Sequence, residues 1–223
     1  MKIKGAIFDC DGTLIDSLGF WKIFYRRVGE HFFGDPAFAV DAADDRAMRT
    51  QSVYFLANLM HEKYGVAESA EALHRWFIDL VTWYYDEVVE PKADAREFLS
   101  YLKQNNVKMI VATASESKDV CRVLRRHGLL EYFEGVISCT EVGAGKDKPD
   151  VFLAAEKLLG TPHAQTWIFE DSALAIETAK RAGFPVVGVY DANGVEQASS
   201  KKLSDIFLDD GASFINLIPF MEV

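Results

Sequence analysis

The sequence predicts an α/β fold: a parallel sheet flanked by helices, with a small helical domain inserted after the first strand. Two observations carry this. From about residue 92 onward, short β-branched apolar runs alternate with helical patterns of about ten residues, which is how βαβ units read. Between residues 17 and 91, apolar residues recur only at helical spacing and no strand pattern interrupts them. The predicted division is therefore 1–16 with 92–223 for the α/β unit, and 17–91 for the insertion.

Each element has its own signal. Residues 3–8 form a short apolar run ended by Asp9, consistent with a buried strand. Leu18, Trp21, Phe24, Val28 and Phe32 repeat at helical spacing, as do Val53, Leu56, Met60 and Tyr64, the latter helix ending near Gly65. Leu73, Trp76, Phe77, Leu80, Val81, Tyr84 and Val88 repeat the pattern again. After Pro91 come a helix over 93–103, a strand over 107–112 and a helix over 118–127 that stops at Gly128. A strand over 135–138, a helix over 151–159 and a strand over 166–169 follow. A helix over 174–182, a strand over 185–190 and a last alternation at 206–208 and 214–218 close the series. The result is an open, Rossmann-like sheet.

Bulk properties exclude several functions. The chain has 223 residues, 49% hydrophobic and 26% charged, enough for one good core with a smaller appended domain. Its formal net charge of −10 argues against nucleic acid or an anionic membrane as partner, since both need a positive field. It leaves room for a small phosphorylated ligand held by local positive charge or a metal. No signal-peptide pattern and no long apolar run occur, so a cytoplasmic protein is expected, as a monomer or weak homodimer. Cys10, Cys121 and Cys139 lack CxxC spacing and read as unpaired thiols, and no HxxxH pair suggests zinc.

In an open parallel sheet, ligands bind beyond the carboxyl ends of the strands. The residues there are Asp9 and Asp11 after the first strand, and Thr113 and Ser115 after the second. Lys146 follows the third, and Glu170, Asp171 and Ser172 follow the fourth. Acidic oxygens without histidine or cysteine suit a hard cation such as Mg²⁺, which offsets their repulsion and attracts a phosphate. Asp150 and Ser172 also suit helix N-caps, whereas Asp9 and Asp11 directly precede no helical pattern.

Asp9-Cys10-Asp11-Gly12-Thr13-Leu14-Ile15-Asp16 resembles the first motif, DxDGTLxD, of the haloacid dehalogenase superfamily of phosphotransferases. Thr113, Lys146 and Glu170-Asp171 match its three further motifs in order, so the resemblance spans nearly the whole chain. Lys146 takes the lysine position by counting back from Pro149-Asp150, with Lys148 as the alternative. The helical insertion is similar to the cap domain of the β-phosphoglucomutase-like and phosphatase subgroup. The resemblance implies Asp9 as nucleophile, Asp11 as general acid and base, and Thr113, Ser115 and Lys146 at the phosphoryl oxygens. It implies Mg²⁺ held by Asp9, the Asp11 carbonyl and Asp171, with Glu170 beside them. Cys10, by strand alternation, should point away from the pocket.

The same resemblance sorts the reactions. Asp11 and the Glu170-Asp171 pair argue against metal-free dehalogenation. A phosphonatase would need a cap lysine, for which Lys22 and Lys63 are available. A mutase carries a cap histidine shortly after the first motif; the matching position here is Trp21, and His31 lies too far along. Hydrolysis of a small sugar or polyol phosphate is therefore expected, with a mutase as the alternative. A non-catalytic binding protein on the same scaffold would be expected to lose Asp9, Asp11 or Lys146. Substrate choice is expected from the cap, through Trp21 and through Arg46, Arg49 and Gln51 near the start of its second helix.

Overall fold

The computed structural model of the protein describes residues 1–50 and 53–223. The chain divides into two compact units, one formed by residues 1–18 and 89–223 and the other by 19–88.

The first unit is built on six strands. They are β1 (Gly5–Phe8), β2 (Lys108–Thr113), β3 (Val136–Ser138), β4 (Thr166–Glu170), β5 (Val186–Val189) and β6 (Ile206–Leu208). All pair in parallel, in the order β3-β2-β1-β4-β5-β6. In sequence, β1 to β3 step outward on one side, and β4 then begins again on the other side of β1. Because helices cover both faces, β1 is apolar and buried at every position, as a central parallel strand must be. Its side chains alternate between the faces. Phe8 stacks on Phe169 with centroids 4.3 Å apart and meets Phe98 and Phe214 edge-on. Ile7 joins Ile110, Phe152, Ile168, Ile176 and Val186 in a second cluster.

The helices of this unit are α5 (Ala95–Gln104), α6 (Ser117–Arg126), α7 (Cys139–Val142), α8 (Asp150–Leu159), α9 (Ala173–Arg181) and α10 (Gln197–Leu203), numbered after the four of the insertion. Helices α7 and α10 were not expected. Helix α7 is a single turn set by a capping box between Ser138 and Glu141. Helix α10, QASSKKL, has no apolar stripe for a periodicity to detect. Residues 214–220 close the chain as a 3-10 helix capped by Ser213.

The second unit contains α1 (Phe20–Val28), α2 (Ala42–Thr50), α3 (Val53–Tyr64) and α4 (Ala70–Trp83). Helices α1 and α4 each run on into a π-helical turn, at Gly29–Phe33 and Tyr84–Val88. Its core is aromatic: Phe24 lies 5.2 Å from Phe77 and 6.0 Å from Phe20, centroid to centroid. Leu56 and Met60 of α3 and Leu73 of α4 are buried. Arg46 and Arg49 stand in α2, ahead of the residues from Val53 onward. Gln51 lies outside the described residues.

Within the first unit, the segments leading to and from the insertion run side by side. Asp16 N–H donates to the Glu90 carbonyl at 2.8 Å and Lys92 N–H to the Leu14 carbonyl at 2.9 Å. Ile15 faces Pro91 in antiparallel register.

Candidate active site

Strand order reverses at β1 and β4, and the crevice beyond their carboxyl ends is where such sheets bind ligands. Asp9 continues the pairing by one residue, its N–H donating to the Phe169 carbonyl at 2.9 Å. The chain then turns sharply. Leu14 and Ile15 both donate to the Cys10 carbonyl, and Gly12 N–H reaches the Ile15 carbonyl at 2.9 Å. Gly12 has φ +83°, and a Cβ there would lie 2.8 Å from Asp171 Oδ2. Only glycine meets both conditions without strain. Cys10 is fully buried, and burial together with Asp11 and Asp9 pushes its thiol well up, which keeps it an inert packing group.

Asp9, Glu170 and Asp171 are 6%, 1% and 7% exposed, and each places a carboxylate oxygen within 4.8 Å of the others. Lys146 Nζ donates to Asp9 Oδ1 and, at 2.8 Å, to Glu170 Oε2. Lys148 is exposed. Asp171 accepts a hydrogen bond from the Thr13 hydroxyl at 3.3 Å, and its backbone carbonyl accepts from Ser200 at 2.9 Å. Ser172 begins α9 without a side-chain cap, and its N–H donates instead to Glu170 Oε1 at 3.1 Å. Asp11 accepts from two hydroxyls at 2.7 Å, Ser17 on Oδ1 and Ser115 on Oδ2. Thr113 is fully buried and its hydroxyl accepts from Ser115 N–H. Thr13 belongs to the first motif, whereas Ser17 and Ser200 carry no signal in the sequence that separates them from ordinary turn and surface hydroxyls.

The cluster is electrostatically costly as it stands. At an effective dielectric of about 20, two carboxylates this close repel by roughly 3 kcal/mol. Burial pushes the Asp9 carboxyl up to about 8; Lys146 opposes this, while Glu170 and Asp11 add to it. Burial also pushes Asp171 well up, with Glu170 and Asp9 adding and Lys146 opposing. Burial pulls Lys146 down, but Asp9 and Glu170 outweigh it and hold the ammonium above the usual lysine range. One lysine therefore leaves an excess of buried negative charge. Oxygen donors in that state fit a hard divalent cation, which would release the protons and leave Asp9 ionised.

In the second unit, Arg49 links several predicted residues. Its guanidinium lies 5.1 Å from the Trp21 ring centroid, and its Nε bonds both oxygens of Asp45 at 2.9 Å. Tyr25 donates to the same carboxylate. Arg46 is exposed. Lys63, one lysine that a phosphonatase could use, pairs with Asp44 and Asp41, and those bonds hold its ammonium above the usual range, away from the neutral amine such chemistry needs. His31 stacks on Trp76 at 5.7 Å.

A parallel sheet thus gathers three buried acids and one lysine at the carboxyl ends of its strands, where the strand order reverses. The chain belongs to the haloacid dehalogenase-like hydrolase family, whose family model matches residues 3–183. It is 28% identical over 181 residues to a phosphorylated carbohydrates phosphatase of Thermotoga maritima, covering 81% of this chain and 82% of the relative. It is also 28% identical over 195 residues to the beta-phosphoglucomutase of Bacillus subtilis, covering 84% and 83%. A solved structure from Thermotoga maritima superposes with a TM-score of 0.80 at 23% identity, over 98% of this chain and 99% of that one, and shares the fold. Among the described residues, no helix is long and apolar enough to cross a membrane.

Proposed function

We propose that the protein is a Mg²⁺-dependent phosphatase of a small sugar or polyol phosphate, acting through a phosphorylated Asp9. The observation that carries this is Lys146 joined to both Asp9 and Glu170 inside a buried acidic cluster at the switch point. Asp9, Glu170 and Asp171 would hold the cation, which would supply neutralisation of charge on the cluster and on the phosphoryl oxygens. An Asp9 carboxylate oxygen attacks phosphorus and the ester P–O bond breaks, the leaving oxygen taking a proton from Asp11. Water then attacks the aspartyl-phosphate, gives its proton to Asp11, and the P–O bond to Asp9 breaks to release phosphate. Thr113, Ser115 and Lys146 orient the phosphoryl group. Choice of ester is assigned to the insertion, where Trp21 and Arg49 form one cluster with Tyr25 and Asp45. The phosphorylated carbohydrates named for the Thermotoga relative support this substrate class.

The test is Mg²⁺-dependent release of phosphate from an aryl phosphate. Asp9→Asn is expected to abolish it, with a loss of at least about a thousandfold. Release by wild type that persists in chelator, or that survives Asp9→Asn, overturns the reading. The Bacillus relative keeps a mutase in view. A sugar 1-phosphate separates the two, free phosphate meaning hydrolysis and an isomeric sugar phosphate meaning transfer.

A further inference from the structure

Asp191 lies two residues beyond β5, and its side chain has no exposed surface. Its carboxylate accepts from Lys92 Nζ on one oxygen and from Asn193 N–H at 2.7 Å on the other. A carboxylate this deep needs a cation, and it takes one from a residue 99 positions away in sequence. Neither residue belongs to the cluster that holds Asp9, Glu170 and Asp171.

Lys92 is tied in two directions. Its backbone N–H holds the Leu14 carbonyl at 2.9 Å, and its ammonium lies 3.8 Å from Asp16 Oδ1. Asp16 N–H in turn holds the Glu90 carbonyl. The segment 14–16 is therefore laced to 90–92 on one side and, through the Lys92 ammonium, to the loop beyond β5 on the other. Ser17 follows this segment directly and donates to Asp11 Oδ1. A shift of the segment moves Ser17, and with it the orientation of the Asp11 carboxyl.

We infer that Lys92 and Asp191 form a positioning pair that aims Asp11 at the leaving-group oxygen, an inference that rests on the reading of Asp11 as general acid. A general acid matters most when the leaving group is a poor one, because a stable phenolate departs without help. Misalignment of Asp11 must therefore appear as a change in leaving-group dependence, whereas a general loss of folded protein lowers all esters alike.

The experiment compares kcat/KM across a series of aryl phosphates from p-nitrophenyl to unsubstituted phenyl phosphate, at saturating Mg²⁺. The double variant Lys92→Met with Asp191→Asn removes both charges and leaves no buried ion unpaired. Asp191→Asn alone is the second variant, since the freed Lys92 ammonium can reach water. Both are expected to lose about tenfold on phenyl phosphate and about twofold or less on p-nitrophenyl phosphate, a fraction of what a general acid contributes. The double variant should be no worse than Asp191→Asn, because both break the same link. Asp11→Asn is the control and should steepen the dependence further. An equal loss on every ester, or none, overturns the positioning role. An unchanged dependence in Asp11→Asn overturns the acid assignment and the inference with it.

Discussion

Gly12 shows how tightly single residues are constrained here. With φ +83° and Asp171 Oδ2 2.8 Å from where a Cβ would sit, Gly12→Ala must strain the turn and displace a carboxylate of the cluster. It is expected to destabilise the protein by about 1–3 kcal/mol and to lower kcat on an aryl phosphate at least about tenfold. Urea unfolding and steady-state kinetics measure the two. The acids were legible from sequence because they directly follow strand patterns, and Lys146 through its place ahead of Pro149-Asp150 in the motif the chain resembles. The company they keep was not. That Ser17 and Ser115 share the two oxygens of Asp11, or that Ser200 supports the Asp171 carbonyl, depends on contacts between segments far apart in the chain. A serine in a turn looks the same whether or not it has such a partner.

At the scale of elements, β1 aims the site. Phe8 is fully buried, stacks on Phe169, and immediately precedes Asp9. Phe8→Ala is expected to cost about 3–5 kcal/mol, read as a lower urea midpoint with an unchanged slope. A cost near zero would mean that the strand tolerates a void beneath Asp9. Strands and long amphipathic helices were readable because burial imposes a period on the sequence: 107–112 was expected and Lys108–Thr113 is found. Helix α10 escaped because the side chain it buries is Ser200, a polar residue that leaves no apolar stripe. The π-helical turns after α1 and α4 escaped because one extra residue per turn barely disturbs a helical stripe.

For the whole molecule, the charge left over in the site becomes a pH-dependent stability. Free aspartate titrates near about 4, whereas burial raises Asp9 to about 8 and lifts Asp171 as well. Between those pH values the metal-free native state keeps protons that the unfolded chain has released, so its stability falls as pH rises through the window. In chelator, the melting temperature is expected to drop by several degrees between about pH 5 and about pH 8. Excess Mg²⁺ should remove most of that slope, with the larger gain at the higher pH. A flat profile in chelator contradicts it. A change of texture near residues 17 and 91 led to the expectation of an insertion, and the chain divides at 18–19 and 88–89. The paired segments at 14–16 and 90–92 give that organisation a further meaning. Because the ends of the insertion are already pinned together, everything between them is, for the sheet, one closed loop. Closing a longer loop costs only about 0.6 kcal/mol per doubling of its length. The strands therefore tolerate a helical insertion of a different size in its place with almost no thermodynamic penalty.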